Sequence, residues 1–243
     1  MTQSALAAGA TLVAVAFAMS TLDRWLARRR RHELAWAAAL TLFAAGAFFL
    51  WLGASAGWTL PVFRAFYLFG AVVNVPVLAL GTVYLLAGRR SGDHAALAVI
   101  AFAAFAAGVI VVAPAHPVGD ASALPQGSDL FGALPRILAA AASGGGALVV
   151  LGGAVWSAVR LRRGTRMWAN VVIAAGTLVL GASGLLNSVL GQMEAFAVTL
   201  AVGVSILYAG FLLAVTPARR PPRLAAPAAA PSPPTLVESG PRN

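Results

Sequence analysis

The sequence predicts an all-α fold: a polytopic membrane bundle of seven transmembrane helices, N-terminus outside and C-terminus cytoplasmic. Three observations predict it. Of 243 residues, 60% are hydrophobic and only 10% charged, whereas a soluble domain carries about a quarter charged residues, so the surplus apolar surface must face lipid. The apolar residues gather in seven runs, each near the roughly 20 residues a helix needs to cross the hydrocarbon core. The arginines fall almost entirely in alternate connections between those runs.

The first run is Ala5–Leu22. It has no basic stretch ahead of it, since Met1–Ser4 carries no charged side chain, and Asp23 with the arginines beyond reads as a cytoplasmic stop. It is therefore expected to be a retained helix rather than a cleaved signal. The others are Leu34–Ala56, Phe66–Gly88, Ala95–Ala113, Ile137–Val159, Met167–Leu190 and Ala195–Thr216. Backbone amides in lipid must be satisfied within the segment, so these runs read as helices. Pro114–Pro135 is an outer loop, either a lid or a connector. Residues 1–216 thus form the transmembrane domain, and residues 217–243 a disordered Pro/Ala-rich cytoplasmic tail acting as a spacer.

The net charge of +10 would suggest nucleic acid if it formed a patch on a soluble fold. Here fifteen of the 17 arginines lie on one side: Arg24 and Arg28–Arg31, Arg89 and Arg90, Arg160, Arg162, Arg163 and Arg166, then Arg219, Arg220, Arg223 and Arg242. Only Arg64 and Arg136 fall on the other. Arginine-rich loops face the cytoplasm, which fixes the orientation. The expected acidic partner is the anionic headgroup layer of the bilayer, not nucleic acid, and a protein partner or homo-oligomer stays open. The chain is expected to be multi-pass, with those arginine-rich loops on the cytoplasmic side.

Several chemistries are excluded. The chain has no cysteine, hence no disulfide framework, thiolate metal site or cysteine nucleophile. It has no lysine either, so a retinal-type Schiff base cannot form despite the seven-helix count. Charged residues stay near helix ends: Asp23, Glu33 and Asp93 on the cytoplasmic side, Asp120, Asp129 and Glu194 on the outer side. Proton pumps and cation-coupled carriers use a carboxylate within the membrane, and these positions argue against both. Gly181-Ala182-Ser183-Gly184 matches the GxSG of intramembrane serine proteases, but His32, His94 and His116 all lie in or near loops, so no base stands at membrane depth. The same placement excludes bis-histidine haem ligation. His116, Asp120 and Asp129 lack the spacing of a metal site. The chain is expected to be non-enzymatic, with no cofactor and no metal.

What the helices do carry is a set of small and neutral polar residues at helical spacing. Tyr67, Gly70, Asn74 and Gly81 share one face of the third helix at 100° per residue. Ser143, Gly146, Gly153 and Ser157 mark the fifth. Asn170, Thr177, Gly181, Gly184 and Ser188 mark the sixth, and Thr199, Gly203 and Gly210 the seventh. Such stripes let helices approach closely in lipid, and packing is the first reading. The second is that Tyr67, Asn74, Asn170 and Thr177 converge on a polar cavity for a neutral or amphipathic ligand. Arg64 and Glu194 could pair at the outer rim. Trp25, Trp36, Trp51, Trp58, Trp156 and Trp168 read as an interfacial aromatic belt. Pro76 should interrupt the third helix, and Gly144–Gly146 should loosen the fifth.

RRRRHELAW at Arg28–Trp36 and RLRRGTRMW at Arg160–Trp168 suggest a three-plus-one-plus-three helix plan, although positive-inside topology alone gives the same pattern. Arg64–Leu86, RAFYLFGAVVNVPVLALGTVYLL, together with HELAW, resembles seven-helix integral membrane proteins of high-GC, actinobacterial-type bacteria. That resemblance covers the helices but not the tail and implies topology and membrane, not an activity. The expected function is binding of a lipid-like or small neutral ligand as a sensor or accessory subunit. The alternatives are a small solute facilitator and a structural subunit of a membrane complex.

Overall fold

The computed structural model of the chain describes residues 2–161, 168–169, 171–180 and 193–215. Helix α1 spans Thr2–Arg28, α2 Arg31–Ala56 and α3 Leu60–Phe66; a π-helical segment, Tyr67–Val73, leads into α4, Asn74–Val112. Then come α5 (Gly127–Leu130), α6 (Ala133–Leu161), α7 (Val171–Leu180) and α8 (Met193–Val215). Among the described residues there is no strand, only an isolated bridge between Ala115 and Phe131.

Four helical stretches are long and apolar enough to cross a bilayer: Ala7–Arg28, Arg31–Ala56, Leu60–Val112 and Ala133–Ser157. Val171–Leu180 and Val198–Leu213 are apolar but shorter. The count differs from seven for three reasons. Much of the sixth expected run lies outside the described residues, the described side chains of the seventh cover only Val198–Leu213, and the third and fourth are joined into one helical stretch of 53 residues.

That long stretch is not straight. Gly88 sits at φ 79, ψ −174, a conformation open to glycine and costly for residues with a Cβ. Across it, Tyr84 packs its ring on Gly92 and donates its hydroxyl to the Asp93 carboxylate at 2.9 Å. On a single straight helix residues 84 and 92 would stand about 12 Å apart, so the chain folds back at Gly88. At the far end of the second arm, Ala106 and Ile110 return to the core around Leu50 and Phe63. The expected loop after the third helix is therefore a one-glycine hinge between two arms, residues 74–87 and 89–112.

Pro76 produces a change of helix type instead of a bend. In π geometry an amide donates five residues back, so the amide missing at Pro76 would have met the Ala71 carbonyl. Ser143 of α6 fills that place, donating its hydroxyl to Ala71 O at 2.6 Å. Replacing Ser143 with alanine strands a half-buried carbonyl and is expected to cost about 1–2 kcal/mol; thermal unfolding in detergent of wild type and Ser143→Ala measures it. Helix α6 itself runs unbroken through Gly144–Gly146. The three glycines do not loosen it, because neighbouring turns hold the helix and Gly146 packs against Val75.

Glycines set the helix spacing. A Cβ on Gly46 of α2 would come within 2.9 Å of the Gly70 backbone, and one on Gly81 within 2.1 Å of the Trp36 ring. Gly146 and Gly153 of α6 meet Val75 and Thr82; Gly176 of α7 meets Leu207, and Gly210 of α8 meets Ile173. These pairs also give direction. Residue numbers rise together along α4 and α6, and along α1 and α8 (Phe17 on Tyr208, Arg24 over Phe211). They run oppositely between α2 and α4 and between α7 and α8. The described arginines of the α1–α2 turn, of the Gly88 hinge and of the end of α6 are thereby brought to one end of the bundle.

The opposite end is capped by residues 113–132. Trp58 donates its amide to Ala121 O at 2.8 Å, and His116 to Leu130 O at 3.1 Å, while Leu124, Leu130 and Phe131 enter the core. The cap is thus a packed layer, neither a free connector nor an open lid. Trp58 precedes the Thr59 N-cap of α3 and lies 6.1 Å from Phe63 four residues into the helix, the arrangement of a hydrophobic staple. It is 2% exposed, which removes it from the expected belt: closing the cap requires its ring inside. Trp36 is partly buried, its ring wedged on Gly81 and edge-on to Phe211.

Candidate functional site

The third-helix stripe is split by the π segment, whose residues advance by fewer degrees than the 100° assumed for an α-helix. Tyr67 turns toward the cap, its ring centroid 5.7 Å from Phe63 and 5.2 Å from Phe131, with Gly127 pressed against its edge. The Gly70 backbone lies against Gly46 of α2, and Gly81 faces Trp36 of the same helix. Asn74, the first residue after the π segment, is 6% exposed, and its Oδ1 has no hydrogen-bond partner. Thr177 on α7 is buried, with its hydroxyl donated to the Ile173 carbonyl of its own helix at 2.9 Å. No hydrogen bond among the described residues joins Tyr67, Asn74 and Thr177. Asn170 lies outside the described residues, as do Gly181–Gly184 and the tail.

Among the described candidates, Asn74 alone presents unmet chemistry. A buried amide oxygen without a donor costs about 1–3 kcal/mol, and an oxygen left open in this way can accept one hydrogen bond from a hydroxyl or N–H. π-Helical turns recur at functional positions. Here the turn also sets where Asn74 lies on its helix.

At the capped end, Arg64 donates from Nη2 to the Ala113 carbonyl at 2.7 Å, holding the C-terminus of α4, where a cation complements the helix dipole. Its Nε is buried without a partner. The side chain of Glu194 lies outside the described side chains. A shallow groove of about 320 Å³ opens nearby, lined by Gly53, Ala54, Ser55, Gly57, Ala121 and Ser122. Asp120 accepts from the Ser122 amide and hydroxyl at 2.8 and 2.7 Å, which lowers the pKa of its carboxyl. Asp129 accepts from Ser128 at 3.1 Å. Among the described residues no three His, Asp or Glu side chains are grouped for a metal ion.

The basic end holds one carboxylate cluster that the sequence did not reveal. Asp93 takes the Tyr84 hydroxyl at 2.9 Å and pairs with Arg31 across to α2, while Arg89 stands 3.7 Å away. Asp93 lies just past the Gly88 hinge, outside the apolar runs. The Tyr84 hydrogen bond first, then the charges of Arg31 and Arg89, hold its carboxyl below the usual value. A depressed carboxylate stabilises the fold above its unfolded-state range and loses that contribution as pH falls through the folded value. Unfolding temperature is therefore expected to be flat from pH 7 to about 5 and to fall below about pH 4, with the fall reduced in Asp93→Asn; a pH series of thermal melts on both proteins checks it.

Glu33 is the other surprise. Expected at a helix end, it is only 5% exposed in the first turn of α2, and its Oε2 has no partner. The positive end of the helix dipole favours a carboxylate there. Sequence placed it near the boundary but gave no sign of its burial, because that depends on where α1 and α2 meet.

No protein-family model matches this chain, and neither a curated protein nor a solved structure matches it. The functional reading therefore rests on the residues themselves.

Proposed function

We propose that this chain is a non-enzymatic integral membrane protein of a bacterial cytoplasmic membrane, of the seven-helix kind it resembles, that binds a small neutral or lipid-like ligand as a sensor or accessory subunit. The observation that carries the reading is the buried, unpartnered Oδ1 of Asn74 directly after the π-helical turn. The ligand supplies one hydroxyl or N–H to that oxygen and otherwise fills apolar space. Seven spans are counted by dividing the long helix at Gly88 and completing the sixth run. The N-terminus is outside, and the arginine-bearing end faces the cytoplasm.

The test is thermal stability of the purified protein against uncharged candidates: monoacylglycerols, long-chain alcohols, glycerol and hexoses. One class at about a hundred times its Kd is expected to add about 2.7 kcal/mol of stability, and Asn74→Leu should abolish that shift. The absence of any shift overturns ligand binding. If a second protein subunit is then retained in stoichiometric amount, the chain is a structural subunit of a complex. The hydroxyls of Ser143 and Thr177, both closed on backbone carbonyls within the bundle, favour that second reading.

A further inference from the structure

From the basic end of the bundle we infer a binding site for an anionic phospholipid, its phosphate on Arg28–Arg30 and an acyl chain along α1. The site rests on the membrane orientation above but not on any ligand at Asn74.

On α1, Leu12, Val15, Met19, Leu22 and Leu26 are 71, 40, 65, 41 and 51% exposed. Steps of three and four residues align them on one helix face. That stripe runs to the α1–α2 turn, where only Arg29 and Arg30 separate the two helices. Apolar surface directly below clustered guanidinium groups is the complement of an acyl chain below a phosphate. The bilayer lays acyl chains on that stripe, so a lipid phosphate is held at the depth of the arginines, and an uncharged lipid would leave them unmatched.

The charges at this end are not used up internally. Asp93 engages Arg31 and Arg89, and among the described residues no carboxylate lies within 4 Å of Arg28, Arg29 or Arg30. Arg29 is held in an unusual way. It has φ 53, where a non-glycine residue is uncommon, its amide closes the last turn of α1 on Trp25 O at 2.7 Å, and its guanidinium lies 4.8 Å over the Trp25 ring. An arginine stacked on a tryptophan at headgroup depth keeps its outward N–H groups available to phosphate oxygens. The same motif recurs on α6, where Arg160 lies 5.0 Å over Trp156, itself 58% exposed above Val155 and Val159.

The test is native mass spectrometry of the full chain released from micelles holding equal phosphatidylglycerol and phosphatidylcholine. Wild type is expected to retain phosphatidylglycerol selectively. Arg28→Gln with Arg30→Gln should lower its retention about twenty-five-fold, at about fivefold per arginine, whereas Arg136→Gln at the opposite end should not change it. Arg28→Lys with Arg30→Lys keeps the charge and should retain the lipid, separating charge from misfolding. Arg29→Gly suits the backbone of the turn, so it should leave the melting temperature at or above wild type while weakening retention. Equal retention of both lipids, or unchanged retention in the double Gln variant, overturns the site. Displacement of the lipid by an equal concentration of inorganic phosphate assigns the arginines to a soluble anion and also overturns it.

Discussion

Gly46→Ala is expected to destabilise the bundle by about 1–3 kcal/mol, the usual cost of forcing a methyl group into a packed interface. The added carbon would stand 2.9 Å from the backbone N and Cα of Gly70, and backbone cannot rotate aside as a side-chain tip can. Helix α2 and the π segment must then separate, and the Phe49–Phe69 stack beside them, with centroids 6.0 Å apart, separates as well. Gly144→Ala gives the matched control on α6. Nothing lies within 4 Å of a Cβ there, so only the helix preference for alanine acts, and stability should rise by up to about 1 kcal/mol. Unfolding in a graded denaturing detergent measures both. Equal and small effects would mean that the glycines do not set the spacing.

Asn74→Leu is expected to separate stability from binding. Leucine has the same number and branching of side-chain heavy atoms as asparagine and carries no polar atom to leave stranded. In ligand-free protein the variant should therefore melt at or above wild type, gaining about 1 kcal/mol or more from removal of the unsatisfied oxygen. In the presence of a stabilising ligand the order should reverse, because only wild type can bind it. A position that weakens the fold while serving a ligand is a common compromise at functional sites. Loss of stability without ligand would show instead that Asn74 is a structural residue.

Much of the helical plan was legible in the sequence because hydropathy and charge act over whole helices. The ends of α2 and the spacing glycines on the third and fifth helices could be read from runs and periodicities. Local geometry was not legible. The third helix was read at 100° per residue, but the proline at 76 removes an amide and the chain answers with a π turn, so Tyr67 and Gly70 face different neighbours. The residue that satisfies the turn, Ser143, is 72 positions away, a distance no local pattern spans. Burial of Trp58 and Glu33 depends in the same way on tertiary closure: the cap must fold over the first, and α1 must meet α2 around the second. Arg64 gives its observed hydrogen bond to the carbonyl at the end of α4, an acceptor that no side-chain motif marks, and the Glu194 side chain lies outside the described ones.

The orientation underlies the membrane reading and the phospholipid site, and the absence of cysteine makes it directly measurable without altering background residues. Single cysteines placed at Ser122 in the cap and at Ser91 beside the Gly88 hinge would be treated, in intact cells, with a membrane-impermeant maleimide. The account predicts labelling of Ser122→Cys in intact cells and of Ser91→Cys only after the membrane is opened. Labelling of Ser91→Cys from outside, or of both positions from the same side, would contradict it.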